Sequence, residues 1–279
     1  MAPDDVTLDH LPTDADIRSV VADMDGTLLD GNGEVPHAFW PLLEVMNARD
    51  ILFAPASGRQ AATLVKTFSH VGEGMPIIAE NGCLVMLDGE IVSANPIDPA
   101  VVAEVVEVER GLRADGHDLG MIFCGIKQAW TERGDEQFLA DCGRYFAALE
   151  PVDDVLAVDD RAVKLAVNDF GHATETIAHF DRFRDRLQVM VSGPEWVDMI
   201  APGSNKGTAI RALQQRLGIT RAQTAVFGDY LNDLPMMAEA DWSFAMANAM
   251  PEITAAANHR APANTEAGVV SVLARLLGV

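Results

Sequence analysis

The stretch Val20-Val21-Ala22-Asp23-Met24-Asp25-Gly26-Thr27 decides how the rest of the chain is read. The apolar run from Ile17 to Ala22 has the length and the β-branched content of a buried strand, of the kind that a parallel sheet covers on both faces. It stops on two acids one residue apart. If the strand continued, alternation would send Asp23 and Asp25 to the same side. Gly26 frees the chain to turn away there, and Thr27 adds a hydroxyl. A parallel strand that ends in carboxylates puts them at the edge where open α/β sheets bind ligands. Alone, Asp-x-Asp-Gly is also an ordinary solvated turn.

The composition narrows the classes. A chain of 279 residues suggests two domains, and 49% hydrophobic residues suffice for two cores. The formal charge of −22 disfavours nucleic acid and anionic membrane surfaces as partners. It also repels phosphate esters at long range, so a phosphate site would have to reverse the sign locally with a metal ion, Lys or Arg. The three cysteines, Cys83, Cys124 and Cys142, lack metal-ligand spacing and cannot all pair. They read as reduced, half-buried thiols of a cytoplasmic protein. Residues 1–16, acidic and with Pro3 and Pro12, read as a frayed tail without a secretory pattern. No apolar run reaches membrane-spanning length.

From the first strand the chain continues with helical spacing at Phe39, Leu42, Leu43 and Met46, a strand at 51–54, a helix marked by Leu64, Val65 and Phe68, and a strand at 76–79. This βαβαβ order predicts an α/β fold with a doubly wound, Rossmann-like parallel-sheet core. The period changes after Gly82. Asp88-Gly89 between two apolar runs predicts a hairpin, followed by helices over 99–113, 136–149 and 173–183 and strands over 121–123, 163–167, 187–191 and 196–200. Hairpins mixed with helices predict an α+β module inserted into the first domain. Residues 1–84 and 201–279 would form the core and 85–200 the insert. The parallel pattern resumes at Pro202 with a helix stripe at Ile210, Leu213 and Leu217, strands at 224–227 and 242–245, helices at 234–240 and after Pro251, and a closing helix over 269–277.

Three further stretches join the first. Ala54-Pro55-Ala56-Ser57-Gly58-Arg59 follows an apolar run, Gly203-Ser204-Asn205-Lys206-Gly207 opens a helix, and Ala225-Val226-Phe227-Gly228-Asp229-Tyr230-Leu231-Asn232-Asp233 is another strand ending on acids. In this order and spacing the four resemble the signature motifs of the haloacid dehalogenase-like (HAD) superfamily, and more narrowly its Cof-type phosphatases with a C2-type α+β cap. The resemblance implies Mg²⁺-dependent hydrolysis of small phosphate monoesters, sugar phosphates foremost, through an aspartyl-phosphate. It implies that the cap closes over the site and selects the leaving group.

The chemistry suits these residue types. A carboxylate can attack phosphorus and divide a very slow hydrolysis into two steps. Bringing it to a dianion requires a cation, and Mg²⁺ prefers oxygen ligands. By the resemblance, Asp23 is the nucleophile and a metal ligand. Asp25 is the general acid and later the base, its backbone carbonyl facing the metal. Asp229 is the distal metal ligand, and Asn232 and Asp233 shape that site or bind its waters. Ser57 and the Gly58 amide hold a transferring oxygen. Lys206, at a helix start that already favours anions, holds the phosphoryl group and screens Asp23. Arg59 either touches substrate or makes a structural ion pair. Asn81 and Asn248 read as turn formers. No histidine pair has zinc-hydrolase spacing, and the chain has no Gly-x-Ser-x-Gly elbow, Walker loop or Gly-x-Gly-x-x-Gly after its first strand. Two alternatives stay open: a phosphomutase of the phosphomannomutase type, and a non-catalytic sensor of phosphorylated metabolites.

Overall fold

In the computed structural model, which describes residues 8–13, 15–69 and 74–279, Ser19–Asp23 form β1, and all five residues are buried because strands flank them on both sides. A turn over Met24–Leu28 leads out of it. Then follow α1 (Phe39–Ala48), β2 (Leu52–Ala56), α2 (Ala61–Thr67), β3 (Ile77–Ala79) and the hairpin of β4 (Leu84–Leu87) and β5 (Glu90–Ala94). The middle of the chain holds α3 (Pro99–Ala114), β6 (Gly120–Gly125), β7 (Ala129–Thr131), α4 (Glu136–Cys142), β8 (Leu149–Pro151), β9 (Ala162–Asn168), α5 (Ala173–Thr176) with a 3₁₀ extension to Phe183, β10 (Gln188–Gly193) and β11 (Trp196–Ile200). The last part contributes α6 (Lys206–Leu217), β12 (Thr224–Gly228), α7 (Leu234–Met237), β13 (Trp242–Met246), α8 (Pro251–Ala256), β14 (His259–Ala261) and α9 (Gly268–Leu277).

The chain divides into two units: Met1–Ser57, Gly72–Val92 and Asn205–Val279 make the first, and Gly58–Val71 with Ser93–Ser204 the second. The first carries an eight-stranded sheet in the order β14-β13-β12-β1-β2-β3-β4-β5, parallel from β14 to β3. Val21 lies opposite Ala54 on one side and Val226 on the other, so the strand order reverses between β1 and β12. That reversal opens a crevice at the carboxyl ends of the two strands, the usual ligand edge of a doubly wound sheet. Helix α6 buries Ala209, Ile210 and Leu213 against Val21, Ala54, Val226 and Met236. Its apolar residues recur at helical spacing, which is why it forms and which face it turns inward.

The second unit is a six-stranded sheet in the order β10-β11-β9-β6-β7-β8, antiparallel apart from β7 with β8. One core joins α3 to the sheet through Val102, Val105, Val106, Leu165 and Val167, and a smaller one gathers Ile122, Phe138, Phe146, Ala166 and Trp196.

The structure departs from the sequence reading in five places. The hairpin β4–β5, assigned by pattern to the insert, pairs with β3 in the first sheet. Residues 58–67, assigned to the core, belong with the second unit, where the Gln60 side chain bonds both backbone groups of Ala148 and the Thr63 hydroxyl bonds Tyr145 and Ala147. The helix expected over 136–149 stops at Cys142, because residues 145–148 supply those same backbone groups. The described part of the expected tail, residues 8–13, is anchored: Leu11 is buried, and Arg275 donates to the carbonyls of Leu11 and Asp9. Residues 1–7 and 14 lie outside the described residues. None of the three cysteines is in a disulfide, and all are buried rather than half-buried. Among the described residues no helix is long and apolar enough to cross a membrane.

Candidate functional site

The site of the first unit is built where β1 and β12 end. Ala22 lies opposite Phe227 in their register, which brings the acids that follow the two strands side by side. Asp23 is the last residue of β1 and is buried, whereas Asp25, two residues on in an extended conformation within the turn, is exposed. Gly26 has φ +81°, and a Cβ there would lie 2.4 Å from Asp229 Oδ2, so the turn can pass this close to the second acidic segment only as glycine. The turn is held from both sides. Thr27 Oγ1 donates to Asp229 Oδ1 at 2.8 Å, and Asn248 Nδ2 donates to the Gly26 carbonyl at 2.8 Å.

Lys206 enters from α6. Asn205 caps that helix by accepting from the Thr208 amide at 2.9 Å, while its own amide donates to the Thr208 hydroxyl at 3.2 Å. The cap sets Lys206 as the first helical residue, and its side chain is fully buried. The ammonium donates to Asp23 Oδ1 in a short contact and to Asp233 Oδ1 at 2.6 Å. Asp233, also fully buried, accepts on Oδ2 from the amides of Asp229 (2.9 Å) and Tyr230 (3.1 Å). Both of its oxygens are thus engaged in holding Lys206 and the acidic loop.

One carboxylate oxygen from each of Asp23, Asp229 and Asp233 lies within 4.8 Å of the others. The sequence reading brings Asp25 to the metal through its backbone carbonyl, which a cluster of carboxylates leaves untested; Asp233, read there as a supporting residue, contributes a carboxylate oxygen to the cluster. Three acids facing one ammonium leave an excess of negative charge in a dry place. Burial, reinforced by Asp233, raises the Asp23 carboxyl well above the carboxylate range against the pull of Lys206. Burial likewise pushes Asp229 up to about 6, against the Thr27 hydrogen bond. For Lys206 burial works toward the neutral amine, but the two carboxylates outweigh it and keep the group charged. A cluster of hard oxygen donors whose charge one lysine cannot balance fits a hard divalent cation such as Mg²⁺.

Ser57 is buried, with its amide on Ile78 O at 3.0 Å and its carbonyl accepting from Asn81 N at 2.9 Å. Gly58 and Arg59 fall in the second unit, where the Gly58 carbonyl accepts from buried Lys164 at 2.8 Å; that lysine lies 3.7 Å from Asp198. Asn232 donates from Nδ2 to Asn81 Oδ1 at 3.2 Å. Sequence reading missed the ties that Asn81 and Asn248 make. Their signal was their place, since each follows a strand at the same sheet edge.

A family model for haloacid dehalogenase-like hydrolases matches residues 20–273. The chain belongs to that family. The enzyme 5-amino-6-(5-phospho-D-ribitylamino)uracil phosphatase YbjI of Escherichia coli (strain K12) is 31% identical over 94% of this chain and 96% of its own length. An HMP-PP phosphatase of Cronobacter sakazakii is 27% identical over 85% of this chain and 86% of its own. Among solved structures, a protein of Streptococcus mutans UA159 superposes with TM-score 0.79 at 27% identity, covering 94% of this chain and 100% of that one. A protein of Thermotoga maritima does so with TM-score 0.82 at 25% identity, covering 93% and 97%.

Proposed function

We propose that this chain is a Mg²⁺-dependent phosphatase of small phosphorylated metabolites that works through an aspartyl-phosphate on Asp23. The observation that carries the reading is Lys206: a buried ammonium joins Asp23 to Asp233, beside Asp229, so that segments far apart in sequence meet in one acidic cluster. A pure binder has no use for this many acids where an anion must dock. Bound Mg²⁺, held by Asp23 and Asp229 with the Asp25 carbonyl, would neutralise charge on the transferring group.

The steps then belong to the protein. An Asp23 carboxylate oxygen attacks phosphorus, the bond from phosphorus to the ester oxygen breaks, and that oxygen takes a proton from Asp25. In the second half Asp25 accepts a proton from water as the water oxygen attacks phosphorus, and the bond to Asp23 breaks. The difference in exposure suits the division of labour: buried Asp23 is fixed by Lys206, whereas exposed Asp25 can exchange its proton. Lys206 keeps the nucleophile oriented and stabilises negative charge on the phosphoryl oxygens. Ser57 completes its binding. Asn232 and Asp233 support the metal side.

Substrate discrimination is assigned to the inserted unit, as the likeness to Cof-type phosphatases implies. The named relatives act on phosphorylated metabolites, which puts 5-amino-6-(5-phospho-D-ribitylamino)uracil beside sugar phosphates at the head of a substrate panel. Three buried cysteines without a disulfide among them suit a reducing compartment, and we place the enzyme in the cytoplasm. Phosphate release across that panel tests the reading. Activity should vanish with EDTA and return with Mg²⁺. From a hexose 1-phosphate, free phosphate marks hydrolysis, whereas hexose 6-phosphate would make the protein a mutase. Tight binding without turnover on every ester would make it a sensor.

A further inference from the structure

The turn Glu80-Asn81-Gly82, at the carboxyl end of β3, is a strained segment that the reaction as derived leaves unused. Its residues have φ of 52°, 57° and 90° in succession. Left-handed runs of this kind are rare for L residues and persist where the surroundings hold them. Here the surroundings are the motif segments. The Asn81 amide donates to Ser57 O at 2.9 Å, and the Ser57 amide donates to Ile78 O, so both backbone groups of Ser57 are tied to this end of β3. A Cβ on Gly82 would lie 2.3 Å from the Asn205 carbonyl oxygen and 2.9 Å from the Lys206 backbone nitrogen, which places the turn directly against the start of α6. Asn81 Oδ1 accepts from Asn232 Nδ2.

We infer that Asn81 is a positioning residue for the cation site, acting through Asn232. An amide presents either its NH₂ or its carbonyl oxygen to a given side. Because Asn232 gives its NH₂ to Asn81, its carbonyl oxygen is the atom left for a hard cation or for the water such a cation carries. Asparagine suits the post twice over: it tolerates the left-handed backbone and it supplies an acceptor. The inference rests on the Mg²⁺ reading above.

The test is calorimetric titration of the full-length, metal-stripped protein with MgCl₂, with thermal melts alongside. Asn81→Gly keeps the turn but removes the acceptor, and should weaken Mg²⁺ binding roughly threefold to tenfold, the range of one hydrogen bond, with no more than the small melt shift that losing one such bond gives. Asn81→Asp tolerates the same backbone and can only accept, so Asn232 must still donate to it; it should bind Mg²⁺ at least as tightly as wild type. Asn232→Ala should weaken binding by a factor like that of Asn81→Gly, and the double variant should lose no more than either single one. A role confined to stability would shift the melts and leave the isotherms alike. Wild-type affinity in Asn81→Gly, or an equal loss in Asn81→Asp, overturns the inference while leaving the metal reading intact. A wild-type protein that takes up no Mg²⁺ overturns both.

Discussion

Replacing Asp233 by asparagine separates a clamp from a metal ligand. In the native site one oxygen of Asp233 accepts from the Lys206 ammonium at 2.6 Å and the other from the amides of Asp229 and Tyr230 at 2.9 and 3.1 Å. Asparagine has the same shape but only one acceptor oxygen. If its NH₂ faces Lys206, donor meets donor across a buried contact. If it faces the two amides, two bonds are lost and donors again collide. The cheaper orientation keeps the oxygen on the amides and gives up the bond to the ammonium. A hydrogen bond to a charged group is worth about 1.5–3 kcal/mol, and breaking a buried pair from one side about 3–5 kcal/mol. Lys206 keeps Asp23 as a partner, which puts the loss near the overlap of those ranges, about 3 kcal/mol. For a protein of this size that lowers the melting temperature by roughly 6–12 °C. The assay is a thermal melt followed by tryptophan fluorescence, in EDTA and in Mg²⁺, with Mg²⁺ binding measured in parallel. The loss should already be present in EDTA, because the clamp needs no metal. An Asp233→Asn protein that melts like wild type in EDTA and yet binds Mg²⁺ poorly would refute this reasoning and make Asp233 a ligand.

Asp23→Asn should abolish phosphate release while leaving the fold intact, since it removes one of three carboxylates gathered about a single ammonium; measurable turnover would take the nucleophile's role from Asp23. Asp25→Asn should bind Mg²⁺ normally but slow turnover by at least the ~100-fold of a lost general acid, and a near-normal rate would assign the proton to another group. Glu109, buried in α3 beside Arg113, is pushed by burial up to about 6 from an ordinary 4.5. The folded state therefore binds more protons than the unfolded one between those values, and stability falls as pH rises through that window and stays lower above it. The rise corresponds to about 2 kcal/mol at neutral pH, so Glu109→Gln should melt higher than wild type at pH ~7.5 and gain nothing near pH ~4. A lower melt for the variant at the higher pH would contradict that account.

The four motif positions were legible because each is a local event: an apolar strand that stops on an acid, a serine or a capped helix, read from neighbours in the chain. The parallel core was legible for the same reason, since β-branched runs alternating with helical stripes have few other ways to bury both faces. Neighbouring residues also determine that Asn205 opens α6, because Thr208 lies three positions on. What the chain order cannot carry is partnership across distance. Thr27 meets Asp229 across 202 positions, Lys206 meets Asp23 across 183, and Asn232 meets Asn81 across 151. Read alone, Lys206 is a surface lysine, Asp233 a supporting acid and Asn81 a turn former. Tertiary structure made the first a buried counter-ion, gave the second both of its oxygens' partners, and tied the third to two motif segments, at Ser57 and Asn232. It also stopped α4 at Cys142 where pattern alone ran on to Leu149, because the residues beyond are held by Gln60 and Thr63. Hydrophobic period specifies which residues are covered; which polar atoms share a buried space depends on strand register and on where the sheet reverses its order.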